Sequence, residues 1–185
     1  MRVIAGKYKG AKLASPRGEV RPTTDMVKSS LFSVLASKGL IDGADVLDVF
    51  CGSGALGIEA LSRGASSCVF VDSDIKNASD NLEKLRIQAQ TVGLDFRHAL
   101  RSLRGRKFDL VFCDPPYKTE FATEALKLLL KYDLLEENGV VVLEHDGKRP
   151  LQKVDGTYTE DSRTFGISTF DIVRGDNEGD NRGNV

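Results

Sequence analysis

The run Phe108-Asp-Leu-Val-Phe-Cys-Asp114-Pro-Pro-Tyr117 joins a short apolar stretch to a carboxylate, two prolines and an aromatic ring. Two successive prolines remove two amide donors and stiffen the backbone, leaving the Asp114 carboxylate and nearby carbonyl oxygens as acceptors. Such a set can hold a planar amino group by its hydrogens. An amine whose lone pair is delocalised into a ring becomes nucleophilic when those hydrogens are accepted and the nitrogen can rehybridise. Asp114, Pro115 and Tyr117 are therefore the candidate catalytic residues, with Tyr117 suited to stacking on an extruded base. Taken alone, the motif reads better as a strand ending in a proline turn.

A second motif raises the chemical reading above the turn. Asp48-Val-Phe-Cys-Gly-Ser-Gly54 follows an apolar run and leads into a helical pattern, the position where doubly wound sheets bind nucleotides. Gly52 and Gly54 let the backbone turn tightly and approach a ligand. The spacing departs from the dinucleotide fingerprint, and Asp48 at its head would repel a pyrophosphate and favour a cationic ligand. S-adenosylmethionine, with an ammonium and a sulfonium, has that character. A further run, Val69-Phe-Val-Asp72-Ser-Asp74, ends in a carboxylate placed to accept from both hydroxyls of a cofactor ribose. Asp72 is the companion site, and Asp74 reads as a helix cap.

Nucleophilic catalysis by cysteine fits less well. Cys113 should point away from Asp114 by strand alternation, and Cys51 and Cys68 read as small core or loop residues. Three cysteines without close pairing give no disulfide framework, and two histidines give no metal-ligand cluster.

The elements that must position these groups alternate between short apolar runs and longer helical patterns, as in a parallel sheet covered on both faces. The class is α/β. Strands are expected at Val46 to Phe50, Cys68 to Val71, Leu94 to His98, Phe108 to Cys113 and Val140 to Glu144. Helices are expected from Asp25 through Ser37, Ala55 to Arg63, Ile75 to Gln88 and Glu120 to Lys131. Two further runs, Val154 to Tyr158 and Ser168 to Val173, suit an antiparallel pair at the sheet edge. Before all of these, glycine-interrupted residues 1–24 read as a small β-hairpin extension; residues 25–174 form the domain, and residues 175–185 a flexible tail.

At 185 residues, with 41% hydrophobic and 29% charged, the chain suits one globular domain. No stretch approaches the roughly 18 apolar residues of a membrane span, and no leader pattern opens the chain, so a cytoplasmic, membrane-free protein is expected. The net charge of −1 hides an asymmetry: residues 1–38 carry eight basic side chains against two acidic ones. A basic segment on an acidic body can serve as a phosphate-binding surface or simply be solvated.

Arg2-Val-Ile-Ala-Gly, Arg21-Pro-Thr-Thr-Asp-Met-Val-Lys28 with Leu31-Phe32, the run from Asp48 to Leu61, and Asp114-Pro-Pro-Tyr117 together resemble the RsmD family of bacterial 16S rRNA guanine-N2 methyltransferases. The resemblance covers nearly the whole chain except its tail. It implies a Rossmann-like class I methyltransferase with a mostly parallel seven-stranded sheet, S-adenosylmethionine as donor, and a guanine of 16S rRNA within a 30S particle or assembly intermediate as acceptor. By position, Asp48, Gly52, Gly54 and Asp72 would bind the cofactor, and Arg2, Lys7, Lys9, Arg21 and Lys28 would bind RNA phosphates. The acidic residue that relatives often carry after the third strand, which accepts from the adenine amine, is matched here by His98, and Met26 stands where arginine is frequent. A monomer is expected. The competing readings are an N6-adenine or protein-glutamine methyltransferase using a similar proline motif, and a noncatalytic RNA-binding assembly factor retaining the fold.

Overall fold

A computed structural model describes residues 1–14, 25–116, 120–148, 151–166 and 168–176. Among them the elements run α1 (Asp25–Ser37), β1 (Asp45–Val49), α2 (Ala55–Ser62), β2 (Ser67–Asp72), α3 (Lys76–Leu85), β3 (Gln90–Gly93), α4 (Phe96–Ser102), β4 (Phe108–Cys113), α5 (Phe121–Lys131), β5 (Leu135–Asp146), β6 (Thr157–Phe165) and β7 (Ser168–Gly175). The strands form one sheet in the order β3-β2-β1-β4-β5-β7-β6. β1 to β5 are parallel, β7 runs antiparallel to β5, and β6 runs antiparallel to β7.

Strand alternation divides the core into two layers. Val46, Phe70, Leu110, Phe112, Val142 and Phe170 face α1, α2 and α3, whose Leu31, Phe32, Ile58, Ala78 and Leu82 are buried with them. Leu47, Val69, Val111, Cys113 and Leu143 face α4 and α5, against Phe96, Leu100, Ala125 and Leu129. The parallel strands are buried on both sides, which is why they read as unbroken apolar runs. Cys113 thus faces the layer opposite the one toward which Asp114 continues.

β5 begins at Leu135 rather than at the expected Val140, and two further expected strands differ more. The third strand is Gln90–Gly93, and the stretch from Leu94 to His98 contains the start of α4 instead. Leu94 and Phe96 mimic the period of a strand, but Phe96, Ala99, Leu100 and Leu103 form a helical stripe that is buried as one face. Asp95 settles the start: its side chain accepts the Arg97 amide at 3.0 Å as an N-cap. β6 begins three residues after the expected Val154 and continues to Phe165, because as an edge strand it is largely exposed and polar and carries no apolar run.

The amino-terminal segment is docked on the body. Its backbone folds back through Val3 N–H to Ala11 O at 2.9 Å and Leu13 N–H to Met1 O at 3.1 Å, with a single antiparallel bridge between Arg2 and Lys12. Val3 and Leu13 enter the same apolar layer as α1 and α2. Ile4 and Ala5 donate their amides to the Glu59 carboxylate at 2.8 and 3.0 Å, and Lys7 donates to Ser62 O at 2.7 Å. Gly6 is obligatory in this fit: its φ is +80°, and a Cβ would lie 1.7 Å from Ser62 O.

Candidate active site

Four carboxylates lie at the carboxyl edge of the sheet, and parity places them on one face. Asp48 shares the parity of Val46 on β1, Asp72 that of Phe70 on β2, Asp114 that of Phe112 just beyond β4, and Glu144 that of Val142 on β5. β4 lies directly beside β1, with Phe112 opposite Asp48. The glycine loop and the proline motif are therefore neighbours across one strand pair.

Asp48 is almost fully buried, and its Oδ2 accepts the Gly57 amide at 2.9 Å, in the first turn of α2. Burial pushes its carboxyl up to about 7; the Gly57 hydrogen bond opposes this and the charge of Asp72 adds to it. An acid raised in the folded state holds its proton when the unfolded chain has released it. Its stabilising contribution is therefore complete below about 3.8 and is lost as pH rises toward about 7. Asp48→Asn should remove up to roughly 4 kcal/mol of this slope. Thermal unfolding of ligand-free protein should then show the variant gaining on wild type between pH 4 and 8; parallel pH profiles would refute the assignment.

Asp72 ties the loops together, accepting the Gly52 amide at 2.8 Å on Oδ2 and the Asp74 amide at 2.9 Å on Oδ1. The Asp74 side chain accepts the Lys76 amide at 3.3 Å, near the start of α3. The two loop glycines differ in what surrounds them. Beyond Gly52 a Cβ would meet nothing within 4 Å, an open approach for a ligand. Gly54 has φ +76° and faces Phe70, Ile58 and Ala78, so its lack of a side chain serves the turn into α2.

His98 lies in α4, not in a strand, with its side chain 77% exposed and its Nδ1 4.0 Å from Asp95. The acidic residue that follows the third strand is Asp95, two residues beyond Gly93, where it caps α4 and meets the Arg97 guanidinium at 3.2 Å. Sequence reasoning missed it because the strand was placed four residues late. Around it Phe50, Phe96 and Phe121 form an aromatic cluster with centroids 4.8 to 6.2 Å apart, covered by Arg97. This cluster joins the chain after β1 and β3 to the start of α5, just past the proline motif.

Asp114 is half-buried beside buried Pro115, and Tyr117 lies outside the described residues. Burial first, then the charge and hydrogen bond of Glu144, then the charge of Asp48 hold the Asp114 carboxyl well above the ordinary range. Burial pushes all three thiols upward, which disfavours the thiolate a cysteine nucleophile needs.

Among the basic candidates, Arg2 is exposed and paired with Asp25 at 3.0 Å, and Lys7 and Lys9 are exposed. Arg21 lies outside the described residues. Lys28 is corrected by the structure: it is fully buried, 3.2 Å from Glu59, and donates to Arg2 O at 2.6 Å. Its ammonium faces the interior and holds the amino-terminal segment in place. Asn81 was also missed. Buried on α3, it donates to Ser53 O and Ala14 O and accepts the Ala14 amide, clamping the glycine loop to the same segment.

The family described as "Conserved hypothetical protein 95" matches residues 1–174. The chain belongs to this family, that of RsmD. Its fold is that of a Rossmann-like class I methyltransferase. The YlbH protein of Bacillus subtilis is 41% identical over 183 residues, covering 94% of this chain and 98% of that protein. Ribosomal RNA small subunit methyltransferase D of Haemophilus influenzae is 33% identical over 182 residues, covering 94% and 93%. The solved structure of yhhF from Escherichia coli superposes with a TM-score of 0.84 at 31% identity, over 95% of this chain and 97% of that one.

Proposed function

We propose that this protein transfers the methyl group of S-adenosylmethionine to the exocyclic N2 amine of a guanine in 16S rRNA, within a 30S particle or assembly intermediate. The observation that carries the reading is Asp114 on the same face and edge as Asp48, one strand away, in a chain whose relatives include a ribosomal RNA small subunit methyltransferase. The acidic rim and the open approach at Gly52 suit a ligand that bears cations and hydroxyls.

In this reading Asp48 faces the cofactor's positive charge, Gly52 offers an unobstructed backbone, and Asp72 accepts from the ribose. Asp95 takes the part first expected of His98, accepting from the adenine amine. When bound, the cofactor supplies a methyl group activated by the adjacent sulfonium. Asp114 and the Pro115 carbonyl accept from the target amine and orient its nitrogen, and Tyr117 stacks on the base. Arg2, Lys7, Lys9 and Arg21 contact RNA phosphates, and the enzyme acts as a cytoplasmic monomer.

Purified protein supplied with labelled cofactor and small-subunit particles lacking the modification should yield labelled N2-methylguanine on nuclease digestion. Label on adenine or on glutamine would replace the reading with one of its alternatives. RNA binding without transfer would leave the assembly-factor reading.

A further inference from the structure

Glu144 touches neither cofactor nor base in the proposed reaction, yet it sits beside Asp114 and raises its carboxyl. Cys113 on β4 pairs with Leu143 on β5 in a parallel ladder, so the next residues, Asp114 and Glu144, follow side by side. Residues in register on parallel strands project to the same face. Glu144 is only 3% exposed, and its side chain is hydrogen-bonded to that of Asp114. An ionised carboxylate can only accept, so two carboxyls bonded to each other must hold a proton between them.

We propose that Glu144 is a positioning residue for methyl transfer: it binds Asp114 through a shared proton, orients it, and sets the charge of the pair at one negative unit. This rests on the proposed amine methylation. The second Asp114 oxygen remains to accept from the base amine. Once the nitrogen has gained its new substituent it must lose one proton. The singly charged pair takes that proton, becomes neutral, and returns it to solvent, so charge and atoms balance without a further reactant.

The surroundings support a pair of this kind. Asp48 on β1 is the other charge acting on Asp114, and it disfavours a second negative charge there. On the β7 side Glu144 lies opposite Phe170. The adjacent His145 and Asp171 project from the other face, where they hold each other at 3.1 Å. Cys113 also belongs to that face.

Glu144→Gln separates this role from a structural one, because glutamine keeps the shape and can donate to an ionised Asp114 without a shared proton. Infrared difference spectra of cofactor-free protein at neutral pH should show, beside the band of Asp48, a protonated-carboxyl band in wild type that is lost in Glu144→Gln and in Asp114→Asn. On particles, the alkaline limb of kcat against pH, where the pair gives up its shared proton, should be lost or moved in Glu144→Gln, with the KM for RNA held. Persistence of the pair's carboxyl band in Glu144→Gln, or an unmoved alkaline limb in an active variant, overturns the proposal. Inactivity of wild type on ribosomal particles instead defeats the substrate reading, and the infrared result still decides the proton pair.

Discussion

Asp114→Asn should lower single-turnover methyl transfer by about 10²- to 10⁴-fold, the range in which positioned acid-base and electrostatic groups act. Asparagine nearly matches aspartate in volume, so the turn after β4 need not rearrange. The amide replaces an acceptor oxygen with a donor and cannot carry the negative charge that draws the amine's hydrogens. Cofactor affinity should change little, because the glycine loop is held from elsewhere: Gly52 by Asp72 and Ser53 by Asn81. Calorimetric titration with S-adenosylmethionine checks this, beside rapid-quench transfer to ribosomal particles. Transfer within tenfold of wild type would remove Asp114 from the catalytic role.

The largest expected effect on stability is at Glu59. Removal of one partner from a buried ion pair typically costs about 3 to 5 kcal/mol, a large part of the 5 to 15 kcal/mol that keeps a domain folded. Glu59 is fully buried and joins four groups: Lys28 at 3.2 Å, Arg63 at 2.7 Å, and the amides of Ile4 and Ala5 at 2.8 and 3.0 Å. Glu59→Ala leaves an interior ammonium facing a lone carbonyl, that of Arg2, and strips both amides of their acceptor. Lys28→Met should cost less, because Arg63 and the two amides still compensate Glu59. Urea unfolding of the two variants measures the difference, and protease cleavage within residues 1–14 should rise for Glu59→Ala. Equal losses, or a larger loss at Lys28, would contradict the hub role of Glu59.

This network also revises the reading of the basic amino-terminal region. Its excess of positive charge is visible in composition, but one of its charges is spent inside the molecule. Lys28 carries a charge in the sequence regardless of where it points, and only the packing of α1 on α2 reveals that it is turned inward. The glutamate that receives it lies in an otherwise apolar helix, where nothing local marks it as different from a surface residue.

What the sequence determined by itself was the alternation of strands and helices and the chemistry that follows a strand. The runs at β1, β2 and β4 are apolar because parallel strands are buried on both faces, so their ends, and with them Asp48, Asp72 and Asp114, could be placed by counting. At α4 local periodicity was ambiguous, since Leu94 and Phe96 satisfy a strand while Phe96, Ala99 and Leu100 satisfy a helix; packing against α5 and the Asp95 cap decided it. Only the tertiary structure could set Glu144 beside Asp114 and Glu59 beneath the amino-terminal amides. Burial period is a property of neighbouring residues along the chain, whereas the meeting of two side chains distant in sequence depends on strand register and helix docking, which the whole core settles together.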